Sequence, residues 1–152
     1  MSKIIMTVGI PGSGKSTWAR KFCRSEIDFK RVNKDDLRNM LDDGIHTSKN
    51  EQIVVRIQDE IINTLLANNI SVIVDNTNLK KYHWEHFRNL ALANNCDFEI
   101  MVFPISLEEA ILRNEIRPIS DKVPESVIIS MNDIMTNISY EQLCSYEIRN
   151  ND

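Results

Sequence analysis

The chain has 152 residues, 42% of them hydrophobic and 26% charged, with a formal net charge of −4. This length suits one domain with a proper core, no apolar run is long enough for a membrane helix, and the acidity argues against a long duplex-binding track. The N-terminus has no signal-like apolar region, and Cys23, Cys96 and Cys144 show neither metal-ligand spacing nor a disulfide framework, so a reduced, cytoplasmic protein without membrane attachment is expected.

Lys3–Val8 reads as an apolar strand, and Trp18-Ala19-Arg20-Lys21 opens a helix running to about Cys23. A short strand is predicted at Arg31-Val32-Asn33 and a short helix over 35–41, ended by Asp42-Asp43-Gly44. From Asn50 to about Asn68 the chain is helical. Ile53, Ile57, Ile61 and Leu65 recur every four residues, with Val54 and Ile62 widening the stripe. Ser71-Val72-Ile73-Val74-Asp75 is a continuous, β-branched strand buried on both faces. A helix over about 80–94 and a strand over 98–103 follow. Ser106 and Glu109 form a capping box for a helix that continues to about Glu115. Pro124 suits the first position of an amphipathic helix carrying Val127, Met131, Ile134 and Ile138 on one side. Strands alternating with helices imply an α/β fold built on a parallel sheet.

The most informative segment joins the first strand to the first helix. Gly9-Ile10-Pro11-Gly12-Ser13-Gly14-Lys15-Ser16-Thr17 is a complete G-x-x-x-x-G-K-[ST] loop. Glycines let successive backbone N–H groups curl around an anion, and the helix N-terminus adds partial positive charge. The loop residues Gly9, Pro11, Gly12, Ser13, Gly14, Lys15, Ser16 and Thr17 are therefore expected to hold ATP or another nucleoside triphosphate. Lys15 reaches the outer phosphates, and Ser16 holds Mg²⁺. Residues 1–38 carry nine Lys or Arg against four Asp or Glu, so this segment stands at +5 and the remainder at −9. A local basic field of that kind attracts a phosphorylated substrate, and a solvated basic face on the first helix is the competing reading for Arg20, Lys21 and Arg24.

Three further clusters follow. Asn33-Lys34-Asp35-Asp36-Leu37-Arg38 lies at the end of the second strand, where ligand crevices of open α/β sheets form. Asp35 is placed to accept a hydroxyl proton, and Arg38, one turn on, to clamp an acceptor phosphate. Helix capping explains one of these acids but not the arginine. The same stretch matches the N-K-x-D guanine signature, but no D-x-x-G occurs in the chain. Asp75-Asn76-Thr77-Asn78 ends the third strand. Asp75 is a Walker-B-like candidate for holding Mg²⁺ through water, and Asn76 and Thr77 are candidates for the acceptor; an Asx turn capping the next helix is the competing reading. Arg113-Asn114-Glu115-Ile116-Arg117 closes a helix before a polar loop. Arg117 is a candidate finger on the transferring phosphoryl group and Arg113 a candidate nucleotide contact, although cations also favour a helix C-terminus by themselves.

These clusters, in this order, resemble the 5′-kinase domain of the phage-type polynucleotide kinases. The resemblance rests on the loop Gly9–Thr17 with Trp18-Ala19-Arg20, on Asn33 to Arg38, on Asp75-Asn76-Thr77-Asn78-Leu79, and on Arg113-Asn114, Arg117 and Val123-Pro124. It implies a three-layer P-loop kinase fold over residues 1–152, with a central, mainly parallel sheet and a helical lid at about 113–124. It also implies catalytic roles for Lys15, Asp35 and Arg117, with Asp35 as general base for a 5′-hydroxyl and Arg38 on the 3′-phosphate of the terminal nucleotide. The expected partner is a 5′-OH end of RNA or DNA. In the phage enzyme an aspartate directly precedes Thr-Asn; here Asn76 stands there and Asp75 one position earlier. The D-x-D-G-T motif of the phage enzyme's phosphatase domain is absent, so no phosphatase activity is expected. A small-molecule kinase of the same fold and a nucleotide-gated binding module are the alternative readings.

Overall fold

The computed structural model describes residues 1–150. Four strands, β1 (Lys3–Val8), β2 (Phe29–Val32), β3 (Ser71–Val74) and β4 (Asp97–Val102), form one parallel sheet in the order β2-β3-β1-β4. Both faces of the sheet are covered, so its central strands are apolar throughout rather than alternating. On one face Ile4, Met6, Val8, Val72 and Val74 pack against Ile62 and Leu66 of α3 (Ser48–Ala67), Trp84 and Phe87 of α4 (Lys81–Ala93), and Ile128 of α6 (Glu125–Thr136). On the other, Ile5 and Ile73 pack on Ala19, with Trp18 and Phe22 of α1 (Lys15–Ser25) over them. The three-layer expectation holds.

Element boundaries moved where local capping outweighed pattern. Asn33 is not the last residue of β2. It is the N-cap of α2 (Lys34–Asp42), and its side chain accepts from the Asp36 N–H at 2.9 Å. α3 begins two residues earlier than expected, behind a Thr47 cap. Its fully buried line is Val54, Gln58, Ile62 and Leu66: Val54 and Ile62 of the predicted stripe lie at its centre, Ile61 and Leu65 flank it half-buried, and Ile53 is 45% exposed. α5 (Leu107–Glu115) has half of the predicted capping box: Ser106 accepts from the Glu109 N–H, while the Glu109 carboxylate takes Arg113 instead. Pro124 is the N-cap of α6 rather than its first residue. α6 buries Ile128 and half-buries Met131 and Met135, whereas Val127 and Ile134 lie on the exposed side; Ile138, predicted on this helix, packs half-buried just beyond its end. A last helix, α7 (Tyr140–Cys144), brings Leu143 into the core, and Ile148 bridges antiparallel to Phe98.

All four strands run the same way, so their C-terminal ends meet at one edge. β1 delivers the glycine loop there, β2 the start of α2, and β3 the segment Asp75–Asn78. α5 supplies the approach from above.

Candidate active site

The glycine loop turns sharply enough that two of its residues lie in the left-handed region, Gly12 at φ 86° and Gly14 at φ 93°. A side chain at either would be strained. At Gly12 it would also crowd the Ala110 carbonyl of α5, which a Cβ would approach to 3.2 Å. Gly14 caps α1 with no side chain, leaving the first N–H groups of the helix facing outward.

Lys15 is 8% exposed, and its Nζ donates to the Ile10 carbonyl at 2.9 Å and the Ser13 hydroxyl at 3.3 Å. Burial lowers its pKa to about 8; nearby Arg117 lowers it too, and the fields of Asp75 and Asp35 oppose them. A buried cation folded back on its own loop, with a neighbouring arginine, is short of negative charge. A polyphosphate anion would supply that charge.

A cleft of about 210 Å³ opens beside the loop. Lys15, Ser16 and Thr17 line it from the loop, Asp35 from α2, and Asn76 and Thr77 from the turn after β3. Arg117, Asp121 and Val123 line it from the segment after α5. Residues from the loop and from all three further clusters therefore share one cavity.

Asp75 is fully buried. Its Oδ2 receives the Arg31 Nε–H at 2.6 Å, and Arg31 also pairs with Asp36. Burial opposes the charge of Arg31, but these two carboxylates outweigh it and raise its pKa. Asp75 Oδ1 has no hydrogen-bond partner among the described residues. An orphaned carboxylate oxygen on the wall of the cleft that also carries the Ser16 hydroxyl fits a hydrated divalent cation. Only one of its two oxygens is free for that purpose, which the sequence did not reveal.

Arg38 does not line the cleft. Its guanidinium donates to Glu51 of α3, Nε to Oε2 at 2.9 Å and Nη2 to Oε1 at 2.8 Å, and Nη1 reaches Asp35 at 2.5 Å. Lys34 Nζ adds a third donor to Glu51 at 3.0 Å. The Arg38 hydrogen bonds, outweighing partial burial and helped by Lys34, hold the Glu51 carboxyl at about 2.

Asn76 borders the cleft, but its amide is committed at both ends, donating to Gln58 Oε1 and accepting from the Lys34 N–H, each at 2.9 Å. Thr77 presents its carbonyl to the Gly9 N–H at 3.1 Å. Arg113 sits outside the cavity lining and braces the loop, Nη1 donating to the Gly12 carbonyl at 3.0 Å. The Arg117 guanidinium makes no hydrogen bond or ion pair among the described residues. Its segment is held by Asn114, whose amide donates to the Val123 carbonyl at 2.7 Å and accepts the Val123 N–H at 3.0 Å.

Arg31, Glu51 and Gln58 were given no site role from the sequence, and Asn114 was named without its tie to Val123. Arg31, Glu51 and Gln58 act through partners 13 to 44 residues away, and no local spacing carries that information. Asn33 could have been found, since an Asn three residues before an acid at a helix start is a capping pattern.

A parallel sheet whose C-terminal edge carries a glycine-rich loop running into a helix is the architecture of the P-loop kinase fold, and this chain has that fold. A family model described as an AAA domain matches residues 4–138, and the chain belongs to that family. Among curated relatives, a protein described as a bifunctional polynucleotide kinase/RNA ligase from Autographa californica nuclear polyhedrosis virus is 28% identical over 137 residues, covering 80% of this chain and 19% of that protein. A chain of the Pnkp1/Rnl/Hen1 RNA repair complex superimposes with a TM-score of 0.80 at 30% identity, over 89% of this chain and 44% of that one. The chain thus spans about a fifth of the curated relative and less than half of the solved one. The APS kinase CysC of Mycobacterium tuberculosis, at 18% identity and a TM-score of 0.59 over 90% of this chain and 98% of its own, shares the fold. No helix among the described residues is long and apolar enough to cross a membrane.

Proposed function

We propose that this chain is a polynucleotide 5′-hydroxyl kinase, a single domain over residues 1–152 with residues 113–124 as its lid, moving the γ-phosphoryl group of ATP or another nucleoside triphosphate to a 5′-OH end of RNA or DNA. The observation that carries the reading is the shared cavity: the Asp35 carboxylate borders the same 210 Å³ cleft as Lys15 and Arg117. Likeness to two nucleic-acid-end enzymes at about 30% identity supports the substrate class.

In this reading the Asp35 carboxylate accepts the proton of the 5′-hydroxyl as its oxygen attacks the γ-phosphorus. The bond from that phosphorus to the β,γ-bridging oxygen breaks, and the nucleoside diphosphate leaves with that oxygen. Lys15 and Arg117 offset charge on the transferring oxygens, and Arg38 holds the phosphate 3′ to the reacting nucleoside. Arg113 braces the phosphate loop through the Gly12 carbonyl, and so contributes to nucleotide binding from the loop's edge. Ser16, with Asp75 through water, would hold Mg²⁺, which supplies further charge neutralisation on the phosphates when bound.

Transfer from γ-labelled ATP to matched 5′-OH RNA and DNA oligonucleotides tests the proposal, with labelled 5′ ends as the expected result. A second reading, phosphorylation of a small alcohol, is favoured by the small cleft and by the occupation of Arg38 by Glu51. Transfer to a nucleoside, sugar and metabolite panel, with none to oligonucleotides, would select it.

A further inference from the structure

Between α3 and α4 lies a second cavity, of about 400 Å³, which the transfer chemistry leaves unused. Lys34, Glu51, Gln58, Asn78, Tyr82 and His83 line it. It adjoins the wall of the kinase cleft, because Lys34 precedes Asp35 and Gln58 holds Asn76.

Its polar groups are unfinished. Gln58 is 2% exposed; its Oε1 accepts from Asn76 at 2.9 Å, and its Nε2 makes no hydrogen bond among the described residues. Asn78, 1% exposed, donates from Nδ2 to the Thr7 carbonyl at 2.9 Å, and its Oδ1 accepts nothing among the described residues. One free donor and one free acceptor in the same cavity match the edge of a heterocyclic base, which presents both.

An aromatic surface stands beside them. The rings of Tyr82 and His83 lie 4.1 Å apart between centroids, and Tyr82 is 60% exposed. His83 Nδ1 accepts the Lys80 N–H at 3.3 Å. Burial, with Lys34 and Lys80 nearby, holds this imidazole at about 4, so at neutral pH the ring is uncharged and carries its proton on Nε2.

The order of groups gives the occupant. Asp35 borders the kinase cleft, Arg38 bridges Asp35 to Glu51, and Glu51 with Lys34 borders the second cavity. A strand with its 5′-hydroxyl at Asp35 and its first internucleotide phosphate at Arg38 leads its next base past Glu51. We propose that the cavity between α3 and α4 binds the second nucleobase of the acceptor strand, stacked on Tyr82 and His83 with its edge toward Gln58 and Asn78. This rests on the polynucleotide reading above.

The test measures KM for three acceptors with γ-labelled ATP: a nucleoside 3′-monophosphate, a dinucleotide, and the same dinucleotide with an abasic second residue. The wild-type KM is expected to rise about tenfold when the second base is removed, the size of one base–aromatic stacking contact. His83→Ala should raise KM for the intact dinucleotide by a similar factor, leave kcat unchanged, and change neither the abasic dinucleotide nor the nucleoside 3′-monophosphate. Tyr82→Ala, at an exposed position, supplies the same comparison if loss of the His83 contact unfolds the start of α4. Equal KM values for intact and abasic dinucleotides, or additive effects of variant and base removal, would overturn the pocket while leaving the kinase reading intact. Failure of the wild-type protein to phosphorylate any of the three would overturn both.

Discussion

Arg38 and Glu51 meet fork to fork across the α2–α3 junction, two N–H groups of the guanidinium on the two carboxylate oxygens at 2.9 and 2.8 Å. Such bidentate pairing is the geometry by which arginine also recognises phosphate. In the free protein a carboxylate therefore occupies the fork proposed to receive the acceptor. Glu51→Gln removes the competing charge and should lower the KM for a 5′-OH oligonucleotide several-fold at unchanged kcat, measured by initial rates against oligonucleotide concentration.

The same pair sets an acid limit on stability. The Glu51 carboxyl is held at about 2, below its ordinary value of 4.5, so its contribution is fully present above pH 4.5 and is lost as pH falls from 4.5 toward 2. Because Glu51 is a quarter exposed, the contribution is of order 1–2 kcal/mol after solvent screening. Urea midpoints of wild type and Glu51→Gln should converge over that window and separate above it.

The parallel sheet, the phosphate loop and the strand-end positions of Asp35 and Asp75 were legible in the sequence because each depends on neighbours a few residues away. Continuous apolar strands, glycine spacing and cap residues are local physics. The exact centre of the α3 face was not legible: Val54 and Ile62 were placed only at the edge of an Ile53-Ile57-Ile61-Leu65 stripe, and a buried Gln58 runs against hydrophobic pattern. Only its bond to Asn76, 18 residues away, explains that burial. Likewise Arg38 was read as a free phosphate clamp, since nothing near it in the chain announces Glu51.

Lys15 illustrates stability given up for function. Its pKa is lowered from 10.5 to about 8. Below pH 8 the fold carries the burden of a buried charge, and stability rises as pH rises from 8 to 10.5, because the unfolded chain then holds the extra proton. The shift corresponds to about 3 kcal/mol as an order of magnitude. Lys15→Met should raise the Tm at pH 7 while abolishing triphosphate binding by calorimetry. In the wild-type protein, triphosphate affinity should fall above pH 8.

Arg31 compensates the buried Asp75. Removing one member of a buried ion pair leaves an unpaired charge and costs about 3–5 kcal/mol. Arg31→Met should therefore destabilise strongly, and the double variant with Asp75→Asn should recover much of that loss. Denaturant midpoints of the two singles and the double measure the coupling.

Asn114 ties the segment carrying Arg117 to Val123 with two hydrogen bonds. Asn114→Ala should cost about 1–3 kcal/mol of stability. Its larger effect should fall on kcat, reduced about tenfold or more because a loosened lid misplaces Arg117; a KM for triphosphate close to wild type would accompany it.

The central claim is that Asp35 is the base for a 5′-hydroxyl within reach of a bound triphosphate. Single-turnover transfer from γ-labelled ATP to a 5′-OH oligonucleotide, in wild type and Asp35→Asn, tests it directly. A fall of about 10²–10⁴ in the transfer rate, the range for loss of a general base, with ATP affinity unchanged, is the expected result. Transfer by Asp35→Asn at the wild-type rate would contradict it.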